Sequence, residues 1–140
     1  MSTTSDDWSL KEYHPPESKE RWFFRKNLEP SPKPGKSAFP YIAYVTLHFD
    51  PRDESGLPST EVEALLYQIE DNELEAVESA GRAIHVASVL KAGVKDLLFY
   101  SSDPDAFLEQ VAELRSMYPR FAIECEIHED PQWEHHRDFP

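Results

Sequence analysis

Between Tyr41 and Ile127 the apolar positions switch between a period of two and a period near 3.6, which predicts strand, helix, strand, strand, helix, strand. Tyr41 to Phe49 sets Ile42, Tyr44 and Thr46 against Tyr41, Ala43, Val45 and Leu47, as in a central strand with both faces covered. Thr60 and Glu63 form a capping box. Val62, Leu65, Leu66, Ile69, Ala76, Val77 and Ala80 then follow at helical spacing, to a stop at Gly81. Arg82 to Leu90 and Lys95 to Ser101 read as a hairpin around Ala92-Gly93, its first strand alternating Ile84, Val86 and Ser88 against Ala83, His85, Ala87 and Val89. Asp103 caps a second helix with Pro104 at its first position. Phe107, Val111, Leu114 and Tyr118 form its stripe, and Pro119 ends it. In Phe121 to Ile127, Phe121, Ile123, Cys125 and Ile127 face one way and Glu124 and Glu126 the other.

This order predicts an α+β fold: a ferredoxin-like βαββαβ antiparallel sheet over residues 41–127, with two helices on one face. An N-terminal strand pair, Trp8 to Tyr13 and Arg21 to Leu28, extends or caps it. Residues 1–7 read as a flexible polar tail. Glu29 to Pro40, with four prolines and a glycine, reads as an irregular surface connector. Residues 128–140 read as a tail whose Trp133 and Phe139 pack on the sheet edge or the N-terminal strands. A chain of 140 residues is expected to be a single domain.

Charge changes the picture. The net charge is −13, yet residues 1–48 hold 7 basic and 6 acidic side chains while residues 49–140 hold 7 basic and 21 acidic ones. Such an acidic half repels phosphate, so neither nucleic acid nor an anionic membrane is an expected partner. A basic protein is the electrostatic complement. The first helix carries Glu61, Glu63, Glu70, Asp71, Glu73, Glu75 and Glu78 with no Lys or Arg from 60 to 80, so it forgoes the opposite-charge pairs of a mixed solvated face. The bland reading is solubility, with Arg21, Arg25 and Lys26 packed against that face.

Dedicated chemistry finds little support. No Gly-x-Ser-x-Gly elbow and no glycine-rich phosphate loop is present. Cys125, the one cysteine, points inward by strand phase and permits no internal disulfide, which suits a reducing cytoplasm. No basic start followed by an apolar run marks a secretory leader, and no apolar stretch approaches the roughly 20 residues of a membrane helix. His128, His135 and His136 match no zinc spacing, so no metal and no cofactor is expected. Adjacent Glu70 and Asp71 diverge by about 100° on a helix and do not form an acid–base pair.

Three stretches resemble the bacterial domain-of-unknown-function 695 family: Gly56-Leu57-Pro58 leading to Ile69-Glu70-Asp71; Leu98-Phe99-Tyr100 followed by Asp105-Ala106-Phe107; and Glu129-Asp130-Pro131-Gln132-Trp133 closing with Asp138-Phe139-Pro140. Trp8 and Tyr13 resemble that family's opening aromatic pair, whereas His136 stands where an aromatic is expected. The resemblance extends distantly to the regulator of ribonuclease activity B, a ribonuclease E inhibitor, and implies a protein-binding inhibitor without catalytic residues.

The expectation is therefore a cytoplasmic, non-enzymatic module that binds a basic protein, such as a ribonuclease or toxin, through Glu63, Glu70, Asp71, Glu73, Glu124 and Glu126. The rivals are a metal-dependent enzyme built on the histidine-rich tail and a homodimeric scaffold pairing strand edges or sheet faces.

Overall fold

The computed structural model describes residues 7–30, 32, 35–80 and 82–140. The strands are β1 (Trp8–Tyr13), β2 (Trp22–Asn27), β3 (Tyr41–His48), β4 (Ala83–Lys91), β5 (Val94–Ser101) and β6 (Ala122–Glu129). They form one six-stranded sheet in the order β1-β2-β4-β5-β3-β6, antiparallel at every pairing. The N-terminal pair thus extends the sheet beyond β4. Residues 1–6 of the expected tail, Gly81 and residues 31, 33 and 34 of the proline-rich connector lie outside the described residues.

The helical stretch after β3 is less regular than its spacing predicts. It comprises α1 (Thr60–Gln68), a π-helical turn (Ile69–Glu73) and α2 (Leu74–Ala80). Val62, Leu66 and Ile69 are buried at helical spacing, but the next buried positions are Leu74 and Val77. The step of five from Ile69 to Leu74 needs the wider turn to keep one face on the core. Ala76 and Ala80, expected in the apolar stripe, are exposed, and Leu74 takes their place. The cap also sits one residue earlier than expected. Ser59 keeps an extended backbone (φ −65°, ψ 164°), and its Oγ accepts from the Val62 N–H at 3.2 Å.

β4 departs from simple alternation too. A bulge between His85 and Ala87 shifts the register. Val86 and Ala87 therefore fall in the same core cluster, and Ser88 moves to the face opposite Val86. The hairpin turn fits the sequence: Ala92 (φ 48°) and Gly93 (φ 78°) are both left-handed. A Cβ on Gly56 would meet the Ala92 backbone nitrogen at 2.8 Å, so the 50–58 loop can dock on this turn only with glycine there.

Two cores result. On one face α1, α2 and α3 (Pro104–Met117) cover the sheet, so that Leu66, Ile69, Phe107, Val111 and Leu114 share a cluster with Val45, Leu97 and Phe99 and with partly buried Cys125. On the other face Ile42, Val86, Leu98 and Tyr100 meet Trp133 and Phe139. This second face carries a short helix, α4 (Glu134–Asp138), where the sequence reading placed only a tail. The helix forms because Asp130 accepts from the Glu134 N–H (2.9 Å) and the His135 N–H (3.0 Å) with its two oxygens.

Candidate functional site

The acidic helix and the strand extension meet at a cavity of about 700 Å³. β1 and β2 reach beyond the helical layer, and the side chains they raise on the helix side form its floor. Arg25 and Phe23 stand there beside Ser88 and Leu90 of β4. Glu63, Tyr67, Glu70 and Asp71 form the helical wall, and Arg52 and Leu57 enter from the loop after β3. Leu10 (67% exposed) and Tyr67 (56% exposed) leave apolar surface at its rim.

The basic groups of this cavity are already matched. Glu70 lies at the π-helical turn with its side chain 7% exposed; Lys95 Nζ approaches it at 2.5 Å and Arg25 Nη1 at 3.2 Å. Arg21 pairs with Glu12 at 2.8 Å, a hydrogen bond that raises the guanidinium's pKa and lowers the carboxyl's. Arg52 lies 3.4 Å from Asp53. Beside the trio, Arg25 covers the Trp8 ring at 5.0 Å, and Trp8 in turn contacts His85 at 5.4 Å. Burial pushes His85 down to about 4 against the opposing pull of Glu70, and its Nε2 donates to the Ala87 carbonyl at 2.9 Å.

The six expected carboxylates do not converge. Glu63 and Asp71 are exposed and share the cavity wall; Glu73, half-buried, sits where its charge raises the Tyr118 phenol, itself chiefly shifted by burial. Glu124 and Glu126 lie exposed on β6, on the opposite face of the sheet, near His48 (3.1 Å) and His128 (3.9 Å) respectively. Glu70 departs from expectation most: it is buried and neutralised within the fold, so its carboxylate is not presented to a partner. The anticipated packing of Arg25 against the acidic helix occurs, but only at this residue.

A second concavity, about 510 Å³, involves Tyr44, Asp130 and His135 on the other face. Tyr44 Oη lies 2.5 Å from His135 Nδ1. Tyr100 Oη donates to Asp130 Oδ2 at 2.6 Å. Burial works against the Asp130 carboxylate, yet the hydrogen bonds from Tyr100 and from the His135 and Glu134 N–H groups hold it below the usual range. Burial drives Tyr100 in the other direction, well above an ordinary phenol. These four residues were not singled out from the sequence. The available signal was that a buried tyrosine hydroxyl requires a partner. Their work is structural, because every oxygen of Asp130 is spent on Tyr100 and α4. The tail histidines diverge: His128 lies on the β6 surface, His135 touches Tyr44, and buried His136 donates from Nε2 to the Asn27 carbonyl at 2.6 Å. Among the described residues no group of three or more His, Cys, Asp or Glu is placed to hold a metal ion, and no helix is long and apolar enough to cross a membrane.

The motif residues therefore serve the architecture: Leu98 and Tyr100 build the second face, Phe107 the first, and Asp130 and Trp133 the strap that closes the sheet. No curated protein matches the chain. The chain belongs to DUF695, a family of unknown function, whose profile matches residues 19–139.

Proposed function

We propose that this DUF695 domain is a cytoplasmic protein-binding module that inhibits or regulates a basic protein by laying carboxylates into the partner's cationic groove. One observation carries the reading. Glu63, Asp71 and Glu75 stay exposed along α1, the π-helical turn and α2, and none of the ion pairs among the described residues involves them. A helix that keeps one sign of charge without internal compensation forgoes local stabilisation and gains long-range attraction for cations. The basic floor of the adjoining cavity does not cancel it, because Arg21, Arg25, Lys95 and Arg52 are each held by another carboxylate.

The strand order β4-β5-β3-β6, with helices between β3 and β4 and between β5 and β6, supports a ferredoxin-like core. With it goes the distant kinship to the regulator of ribonuclease activity B, and a ribonuclease or toxin as partner. A binding role is favoured over catalysis because the Tyr100–Asp130 and Tyr44–His135 pairs hold α4 in place.

The test is comparative capture from the native cell extract, using wild type, E63K/D71K and E124K/E126K. The expected prey is a protein of high isoelectric point whose capture and reconstituted binding fall in at least one charge-reversed form and weaken with salt. Prey retained equally by all three forms at low salt overturns the reading.

A further inference from the structure

We infer that β6 is a docking edge that takes an extended basic segment of the partner as a seventh strand; this rests on the acidic-module reading and specifies how the partner is held. β6 closes one end of the sheet and pairs with β3 alone. It is eight residues long, and its register with β3 runs unbroken from Tyr41↔Glu129 to His48↔Ala122. Sheet edges are ordinarily blunted by brevity, proline, bulges or lysine. Ala122–Glu129 has none of these.

Its backbone is oriented for addition. Arg115 Nε donates to the Ile123 carbonyl at 3.0 Å, so the odd-numbered residues turn their polar groups away from β3. Alternation in an antiparallel ladder then points the N–H and C=O of Cys125 and Ile127 outward as well. Charge selects the occupant. Glu124 and Glu126 line one side of this edge, while partly buried Cys125 and Ile127 line the other beside the helical core. A second copy pairing edge to edge would oppose glutamate with glutamate, which is destabilising. A strand that alternates lysine or arginine with apolar residues places its cations over Glu124 and Glu126 and its apolar side chains beside Ile127 and Cys125.

The probe is a capped seven-residue peptide alternating lysine and valine, added to the isotope-labelled full chain and followed by amide shifts and hydrogen exchange. Exchange at Cys125 and Ile127 should slow by about tenfold or more. E124K/E126K should weaken binding by about tenfold or more, while E63K/D71K leaves it unchanged. Ile127→Pro removes one outward donor without touching the β3 ladder and should abolish binding; thermal melting confirms that it folds. A peptide methylated at alternate backbone nitrogens should fail too, and this arm needs no variant. Equal binding of the methylated or a scrambled peptide, or shifts centred on Glu63 and Asp71, overturns strand addition and leaves the acidic-module reading standing. Absence of binding by all the cationic peptides at low salt defeats both. A dimer in solution with protected Cys125 and Ile127 amides and no peptide present makes the occupant a second copy, and also overturns the inference.

Discussion

The Trp133 indole lies flat on the Tyr100 ring, with ring centroids 3.9 Å apart and 5° between the planes. Trp133 is also left-handed (φ 56°), and its Nε1 donates to the carbonyls of Lys36 (3.1 Å) and Phe39 (3.0 Å). One side chain thus ties the connector before β3, the sheet and α4 together. Trp133→Ala should cost about 3–5 kcal/mol, the range for deleting a buried large aromatic. Trp133→Phe keeps a ring on Tyr100 but drops the donor and should cost about 1–3 kcal/mol. Urea denaturation measures both, and equal losses would show that the indole donor contributes nothing.

Glu70 holds the only buried lysine, Lys95, whose side chain is 10% exposed. Removing one member of a buried pair leaves an uncompensated charge. Glu70→Gln should therefore cost about 3–5 kcal/mol, and E70M/K95M should recover most of it. A double-mutant cycle by chemical denaturation decides this; additive losses would mean the two side chains are not coupled.

Stability should fall as acid is added, beginning well above the carboxylate range. Burial lowers His85 from 6.5 to about 4, so the unfolded chain binds the proton more readily than the folded one. The contribution is fully present above the ordinary histidine pKa and is lost as pH falls toward 4. It is worth roughly 3 kcal/mol at most. Glu70 favours the protonated ring, while Arg25 and Lys95 oppose it, so this window includes their influence. Denaturation midpoints of wild type and His85→Gln between pH 7 and 4 should converge as pH drops; parallel curves would remove His85 from the account.

Cys125 should be a poor nucleophile. Burial pushes its thiol up to about 11, so little thiolate exists near neutral pH. Alkylation of the native protein at pH 8 should run roughly a hundredfold slower than in urea, given a free-thiol pKa of about 8.5. Comparable rates would place the sulfur at the surface.

The sequence carried the strands well where one face is apolar and the other wet, as in β6, because burial itself imposes the period of two. It carried β3 for the same reason, with Ala43, Val45 and Leu47 entering one core and Ile42 the other. The bulge at Val86 had no comparable mark, since alanine, valine and serine suit either face of β4 and register is settled by the partner strands. Glu70 misled for a related reason. Its neighbours Glu63 and Asp71 have the same chemistry, and only the arrival of Lys95 and Arg25 from distant strands separates an internal counter-ion from surface charge. α4 was hidden by its length: five residues have no periodicity, and the helix depends on one carboxylate three residues before it begins.

The wide turn at Ile69–Glu73 makes the helical stretch tolerant of substitution yet intolerant of length change. Each residue of an α-helix turns about 100°, so excising one position such as Asn72 would restore a regular helix and wind α2 out of step with α1. Val77 and Leu74 would leave the core, or Glu70 would swing away from Lys95; the chain could not satisfy both. The domain's reading frame for burial is therefore set at this turn, and a single-residue deletion here should act like a frameshift in packing, disabling everything downstream on α2 while sparing α1.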